Sequence, residues 1–90
     1  MIIKFTDHKY AQAHMEPIHG GLALYSYDTR VAEVVDGWLR INGLYSMTTR
    51  RHIGWFMREL GRFTYQLAKQ LYEDNKEFNI WTGEVRDIDA

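Results

Sequence analysis

Residues 31–60 read VAEVVDGWLRINGLYSMTTRRHIGWFMREL, and a change of period inside this stretch decides the fold. Val31–Val35 is rich in β-branched residues, Asp36-Gly37 is a two-residue hairpin signal, and Trp38–Ile41 supplies the return strand. Asn42-Gly43 repeats the signal, so the pattern predicts a further strand over Leu44–Met47 and a tight antiparallel meander. Beyond Met47 the period lengthens. Ile53, Phe56, Met57 and Leu60 recur at helical spacing as a core stripe, and Thr48 or Thr49 is placed to cap the helix start.

The flanks follow from these two patterns. Upstream, Leu22, Leu24 and Ser26 alternate with Ala23, Tyr25 and Tyr27 as a strand, with Asp28-Thr29 as a turn and Gly20-Gly21 as a break. Ile2–Phe5 reads as an edge strand, and Asp7–Met15 as a short helix forced to end near Pro17. Downstream, Gly54 lies inside the helix at a cost of about 1 kcal/mol relative to alanine, which predicts close approach of another backbone. Gly61 is the expected left-handed C-terminal residue. A second apolar series, Phe63, Leu67, Ala68 and Leu71, continues in the same phase to about Asp74; a break at Gly61 is favoured over one long helix. Phe78–Trp81 predicts a strand, Thr82-Gly83 a turn, and the acidic tail from Glu84 little structure. Strands first and helix afterwards give an α+β fold over residues 1–90: a small antiparallel β-meander with one or two helices packed on one face, in a single domain.

Composition narrows the functional classes. Apolar residues are 46% of the chain and aromatics 14%, enough for a dense core, and the absence of cysteine excludes disulfide or thiolate–metal stapling. The opening residues lack a signal-peptide pattern and no apolar run approaches a membrane span, so a cytoplasmic protein with no membrane contact is expected. The net charge of −1 marks neither a strongly basic nucleic-acid binder nor an acidic mimic of nucleic acid. Its distribution is uneven. Arg50, Arg51, Arg58, Arg62 and Lys69 face only Glu59 between Ser46 and Lys69, whereas six carboxylates oppose Lys76 and Arg86 between Gln70 and Ala90.

Arg51, Trp55, Arg58 and Arg62 fall on one helix line, roughly 180° from the core stripe, with Arg50 beside them. Such a face is either a solvated surface or a contact surface for something anionic or flat. Arginine with tryptophan is the composition of binding hot spots, and the chain carries seven arginines to four lysines. Tyr25, Tyr27 and Tyr45 are expected to share one exposed face and to add to it. The Ser46-to-His52 junction has the makings of an anion cradle at a helix start, against which ordinary capping is the better reading. His52 is expected to bond a strand carbonyl, since no serine, cysteine or carboxylate is placed by sequence to make it a catalytic base. His8, His14 and His19 fit no metal-ligand spacing. The readings are therefore no catalytic residue, no metal and no cofactor.

Two motifs, Tyr25-Ser26-Tyr27-Asp28-Thr29-Arg30-Val31-Ala32 and Tyr45-Ser46-Met47-Thr48-Thr49-Arg50-Arg51-His52-Ile53, resemble a family of small uncharacterised bacteriophage and prophage proteins. Its pattern is YSYxTxVA followed by YSxTTxxHIxxF, and the resemblance spans roughly Tyr25 to Gly61. It implies a phage or mobile-element protein in a bacterial cytoplasm and brings no catalytic residues. With the Arg/Trp face, the expectation is a non-enzymatic interaction protein that blocks a host protein or defence complex sterically, anti-CRISPR-like. The alternative is a nucleic-acid-binding accessory or regulatory protein, its Arg50–Arg62 helix tracking phosphates while Trp55 stacks on a base. Exposed sheet edges also leave room for a homodimer.

Overall fold

The computed structural model of the chain describes residues 2–5, 8 and 11–88. Six strands form one antiparallel sheet in sequence order: β1 (Ala13–Ile18), β2 (Gly21–Ser26), β3 (Thr29–Val35), β4 (Trp38–Ile41), β5 (Lys76–Asn79) and β6 (Val85–Asp87). Two helices, α1 (Met47–Gly61) and α2 (Tyr65–Glu73), are inserted between β4 and β5. α1 packs against β2 and β3, and α2 against β4 and β5. This is the small α+β meander read from the sequence. None of the described helices is long and apolar enough to cross a membrane.

Register aligns the core rows. Met15, Leu24, Ala32 and Ile41 lie opposite one another across β1–β4, and Leu22, Val34, Leu39 and Phe78 make a second row across β2–β5. Ile53, Phe56 and Met57 of α1 and Ala68 and Leu71 of α2 close over the sheet. A bulge sharpens this packing. Leu24 pairs with Ala32 but Tyr25 pairs with Arg30, so Val31 is an extra residue on β3, and Val31 and Ala32 are both buried although adjacent. The same shift turns Arg30 to the outer face beside Tyr25. The Asp36-Gly37 hairpin forms as its sequence demands, with φ of +53° and +87°, the paired positive values of a type I′ turn.

Several local expectations need correction. Asn42-Gly43 makes no hairpin and Leu44–Met47 no strand: neither residue has positive φ, and Met47 is already the first residue of α1. The cap that starts α1 is Ser46, not Thr48 or Thr49; its hydroxyl accepts the Thr49 N–H at 3.1 Å. Once Ser46 caps there, Tyr45 and Met47 have no sheet partner. Gly61 ends α1, but Arg62 takes the left-handed conformation, with φ +64°. Gly61 is needed for space instead, since a Cβ there would meet the Phe63 ring at 2.9 Å. The two-helix reading stands.

The N-terminal third differs most. Ala13–Met15 belongs to strand β1 rather than a helix, and β1 runs through Pro17; the Asp7, Lys9 and Tyr10 part of that prediction lies outside the described residues. Proline is tolerated because Met15 turns its backbone groups away from β2, exchanging 2.7 Å hydrogen bonds with Ile3 in both directions. Pro17, two residues on, has the same orientation, so its missing N–H falls on the free edge. The expected Ile2–Phe5 strand reduces to this single Ile3–Met15 bridge. The tail is more ordered than predicted. Glu84 leads into β6, where Arg86 lies 3.8 Å over the Trp38 ring and bonds Glu77 at 2.9 Å, while Lys76 bonds Asp87 at 2.9 Å. The turn near Thr82 is held by Asn79, whose side-chain oxygen accepts the Trp81 and Thr82 N–H groups.

Candidate interaction groove

The helix α1 turns its apolar stripe inward and its arginines outward. Ile53, Phe56 and Met57 are fully buried and Leu60 half-buried, while Arg50, Arg51, Arg58 and Arg62 are exposed. The stripe lies beside a groove between α1 and the start of α2. One part, of about 520 Å³, is lined by Gly54, Arg58, Arg62, Phe63, Thr64 and Tyr65. A second part, of about 370 Å³, shares Gly54, Arg58 and Tyr65 and extends past Trp55, Arg51 and Arg50 to Met47. Its floor is apolar and its rim is cationic.

Gly54 shapes this groove by lacking a side chain. A Cβ built there meets nothing nearer than the Cβ of Tyr65, at 3.8 Å, so the close backbone approach expected from the sequence is absent. Phe63 and Tyr65 complete the floor because Arg62 reverses the chain and Phe63 then packs edge-on against Phe78, ring centroids 5.3 Å apart. The Tyr65 hydroxyl is buried with no hydrogen-bond partner among the described residues. Sequence reasoning missed Phe63 and Tyr65, whose place is tertiary. Gly54 and Met47 carried a usable signal: both lie within about 60° of the Arg51–Arg58 line on a helical projection.

None of the four arginines has an acidic partner among the described residues. The described acidic residues of the C-terminal segment do not neutralise them. Glu77 bonds Arg40 at 3.0 Å and Arg86 at 2.9 Å, and Asp87 bonds Lys76, all at the β4–β6 side of the sheet, away from α1. Charge is therefore segregated in space as it is in sequence.

Trp55 is half-buried, not a free platform. The His8 ring stacks on it with centroids 3.7 Å apart and planes 3° from parallel, and Phe5 meets it edge-on at 5.7 Å. The three tyrosines do not share one face. Tyr25 lies on the helix-free side of the sheet, stacked on His14 at 5.2 Å, with its hydroxyl accepting from Arg30 at 3.0 Å. Tyr27 and Tyr45 are exposed at the start of α1, where with Ser26, Thr29 and Thr49 they line a hollow of about 410 Å³. Tyr45 and Met47, 65% and 75% exposed, bring apolar surface to that end of the groove.

Behind the hollow is a buried polar cluster that the sequence did not reveal. His52 is 2% exposed, and its Nδ1 shares a 2.8 Å hydrogen bond with Ser26 Oγ, a side chain rather than the expected carbonyl. Ser26 Oγ also lies 3.2 Å from Thr49 Oγ1, which accepts from Ser46 at 3.2 Å. Burial, followed by electrostatic repulsion from Arg51 and from the neighbouring His8 ring, pushes the His52 pKa below its ordinary value. A serine beside a neutral histidine has the composition of a nucleophile and base. Here both are 2% exposed, and none of the hydrogen bonds found for His52 goes to a carboxylate that would orient it. The cluster ties β2 to α1. Its hydroxyls are engaged with one another and with the cap, which is the capping reading rather than the anion cradle. His8 and His14 are drawn to different aromatic partners, Trp55 and Tyr25, and among the described residues no three metal-ligating side chains converge.

The profile of a family of unknown function, DUF8033, matches residues 4–79, so the chain belongs to that family. No curated protein and no solved structure matches the chain.

Proposed function

We propose that this member of DUF8033 works by binding, docking the α1 groove onto a partner protein and covering part of it, without chemistry of its own. The observation that carries the reading is the set Arg50, Arg51, Arg58 and Arg62, exposed along an apolar groove with no acidic partner among the described residues. The fold gains little from this arrangement: of the four, only Arg58, in the last turn of α1, meets the helix dipole, worth about 0.3–1 kcal/mol. An unpaired cationic rim around exposed apolar surface is what an interface needs before its partner arrives. Tyr27 and Tyr45 extend the contact at the N-terminal end of α1, and Tyr25 belongs to a separate patch on the open sheet face.

In its specific form the proposal follows the resemblance to phage and prophage proteins: an inhibitor in the bacterial cytoplasm that blocks a host defence complex sterically, in the manner of an anti-CRISPR protein. Nucleic acid is the less favoured partner, because His8 already occupies one face of the indole that would stack on a base. Homodimerisation through a sheet edge is also less favoured, since β1 carries Pro17 and the Ile3 bridge and β6 is three residues long. The test compares the wild type with an Arg51→Glu/Arg58→Glu variant, by affinity capture from bacterial lysate and by phage plating on hosts with active CRISPR interference. The reading expects one partner and a gain in plating, both lost in the variant. Capture unchanged by the substitutions would refute the groove. Capture without any plating effect would refute the inhibitor.

A further inference from the structure

We infer that the occupant of the α1 groove is an amphipathic helix of an acidic protein, an inference that rests on the binding role proposed for that groove. The groove follows α1 from Met47 towards its end at Gly61, about 21 Å or four helical turns, which is the length of a docked helix rather than of a small ligand. Its rim repeats in register with a helix. Arg51 and Arg58 are seven residues apart, about 10.5 Å along the axis, with Gly54 between them as the open floor. A partner helix with carboxylates at positions i and i+7 meets both arginines and places apolar side chains at i+3 and i+4 over Gly54.

One feature favours this chemistry over phosphate. The floor, Met47, Gly54, Phe63 and Tyr65, offers apolar contact that a sugar–phosphate chain does not use. The cations are arginines, whose planar guanidinium meets a carboxylate or a phosphate with two parallel hydrogen bonds, so the apolar floor decides between them. Met47, 75% exposed, adds an adaptable apolar contact at one end.

The experiment titrates the intact protein with a helical peptide of about 20 residues bearing Glu at i and i+7 and Leu at i+3 and i+4. Controls replace Glu by Lys, or Leu by Ser, and a single-stranded and a duplex oligonucleotide are titrated alongside. Calorimetry is expected to show micromolar binding of the acidic peptide only. Arg51→Glu/Arg58→Glu is expected to weaken it about tenfold or more, with recovery when the peptide carries Lys in place of Glu. Gly54→Leu fills the groove without changing charge and is expected to abolish binding while the protein remains folded by circular dichroism.

No peptide binding up to millimolar concentration, equal binding by the Arg51→Glu/Arg58→Glu variant, or tighter binding of an oligonucleotide would overturn the inference. The proposed role fails separately, if a captured lysate partner ignores the same substitutions. A partner lost from the variant together with a silent peptide refutes the acidic helix and leaves the groove standing.

Discussion

Replacing Gly54 by alanine tests the shape of α1 and of the groove together. Glycine in a helix interior costs 0.8–1.0 kcal/mol relative to alanine, roughly, through the backbone entropy it loses on folding. Whether alanine recovers that amount depends on space. The added methyl meets only the Tyr65 Cβ, at 3.8 Å, which is ordinary van der Waals contact, so no steric term opposes the gain. Gly54 does not have positive φ, so alanine adopts its backbone conformation without strain. The expected result is stabilisation by about 1 kcal/mol, which in a domain of this size raises Tm by roughly 4–8 °C. Scanning calorimetry and urea unfolding measure it independently. A loss of stability would mean that another chain segment closes over Gly54, and the groove would not exist as described.

Ser26→Ala removes the partner of a buried histidine nitrogen and is expected to cost about 1–3 kcal/mol in urea unfolding. Lowering the pH should also weaken the fold. Because the His52 pKa is depressed in the native state, the unfolded chain takes up more protons as pH falls below about 6.5, and stability declines until the folded-state pKa is passed. His52→Asn, whose amide takes the place of Nδ1, should remove that part of the pH dependence in Tm measured between pH 5 and 8. Glu77→Ala releases Arg40 and Arg86, both partly exposed, and is expected to cost about 1–2 kcal/mol and to speed amide exchange in β6. Arg51→Glu/Arg58→Glu should shift stability by no more than about 1 kcal/mol, since neither side chain has an acidic partner among the described residues and only Arg58, in the last turn of α1, meets the helix dipole.

The legible parts of the chain were those whose local signals agree with tertiary structure. Ile53, Phe56 and Met57 at helical spacing, and Asp36-Gly37 between two β-rich runs, have one outcome each, and both occurred. Asn42-Gly43 carried the same turn chemistry but lost to Ser46, whose capping hydroxyl starts a helix before a further strand has room to form. Pro17 misled because a proline that ends a helix is equally at home on a sheet edge, and only the Ile3–Met15 pairing shows which edge is free. The acidic tail looked unstructured because Arg86 meets Trp38 and Glu77, and Asp87 meets Lys76, only once β5 and β6 have paired.

The candidate site was half legible. Helical geometry alone aligned Arg51 and Arg58, whereas Arg62 lies beyond the end of α1 and reaches the groove through its left-handed turn. The floor required knowing that Arg62 turns the chain so that Phe63 and Tyr65 return beside Gly54. Ser26 and His52, twenty-six residues apart, meet only because the meander carries β2 under α1. His8 covering Trp55 is likewise a long-range contact, and it changes the meaning of that tryptophan from a free stacking surface to one wall of the groove.

Backbone amide chemical-shift mapping of the intact protein, titrated with the acidic amphipathic peptide, tests the binding role of α1 most directly. The perturbed amides should run from Met47 to Tyr65, strongest near Gly54 and Arg58, with the open sheet face around Tyr25 and Arg40 unmoved. Perturbations centred on that sheet face, or a spectrum unchanged at saturating peptide, would contradict it.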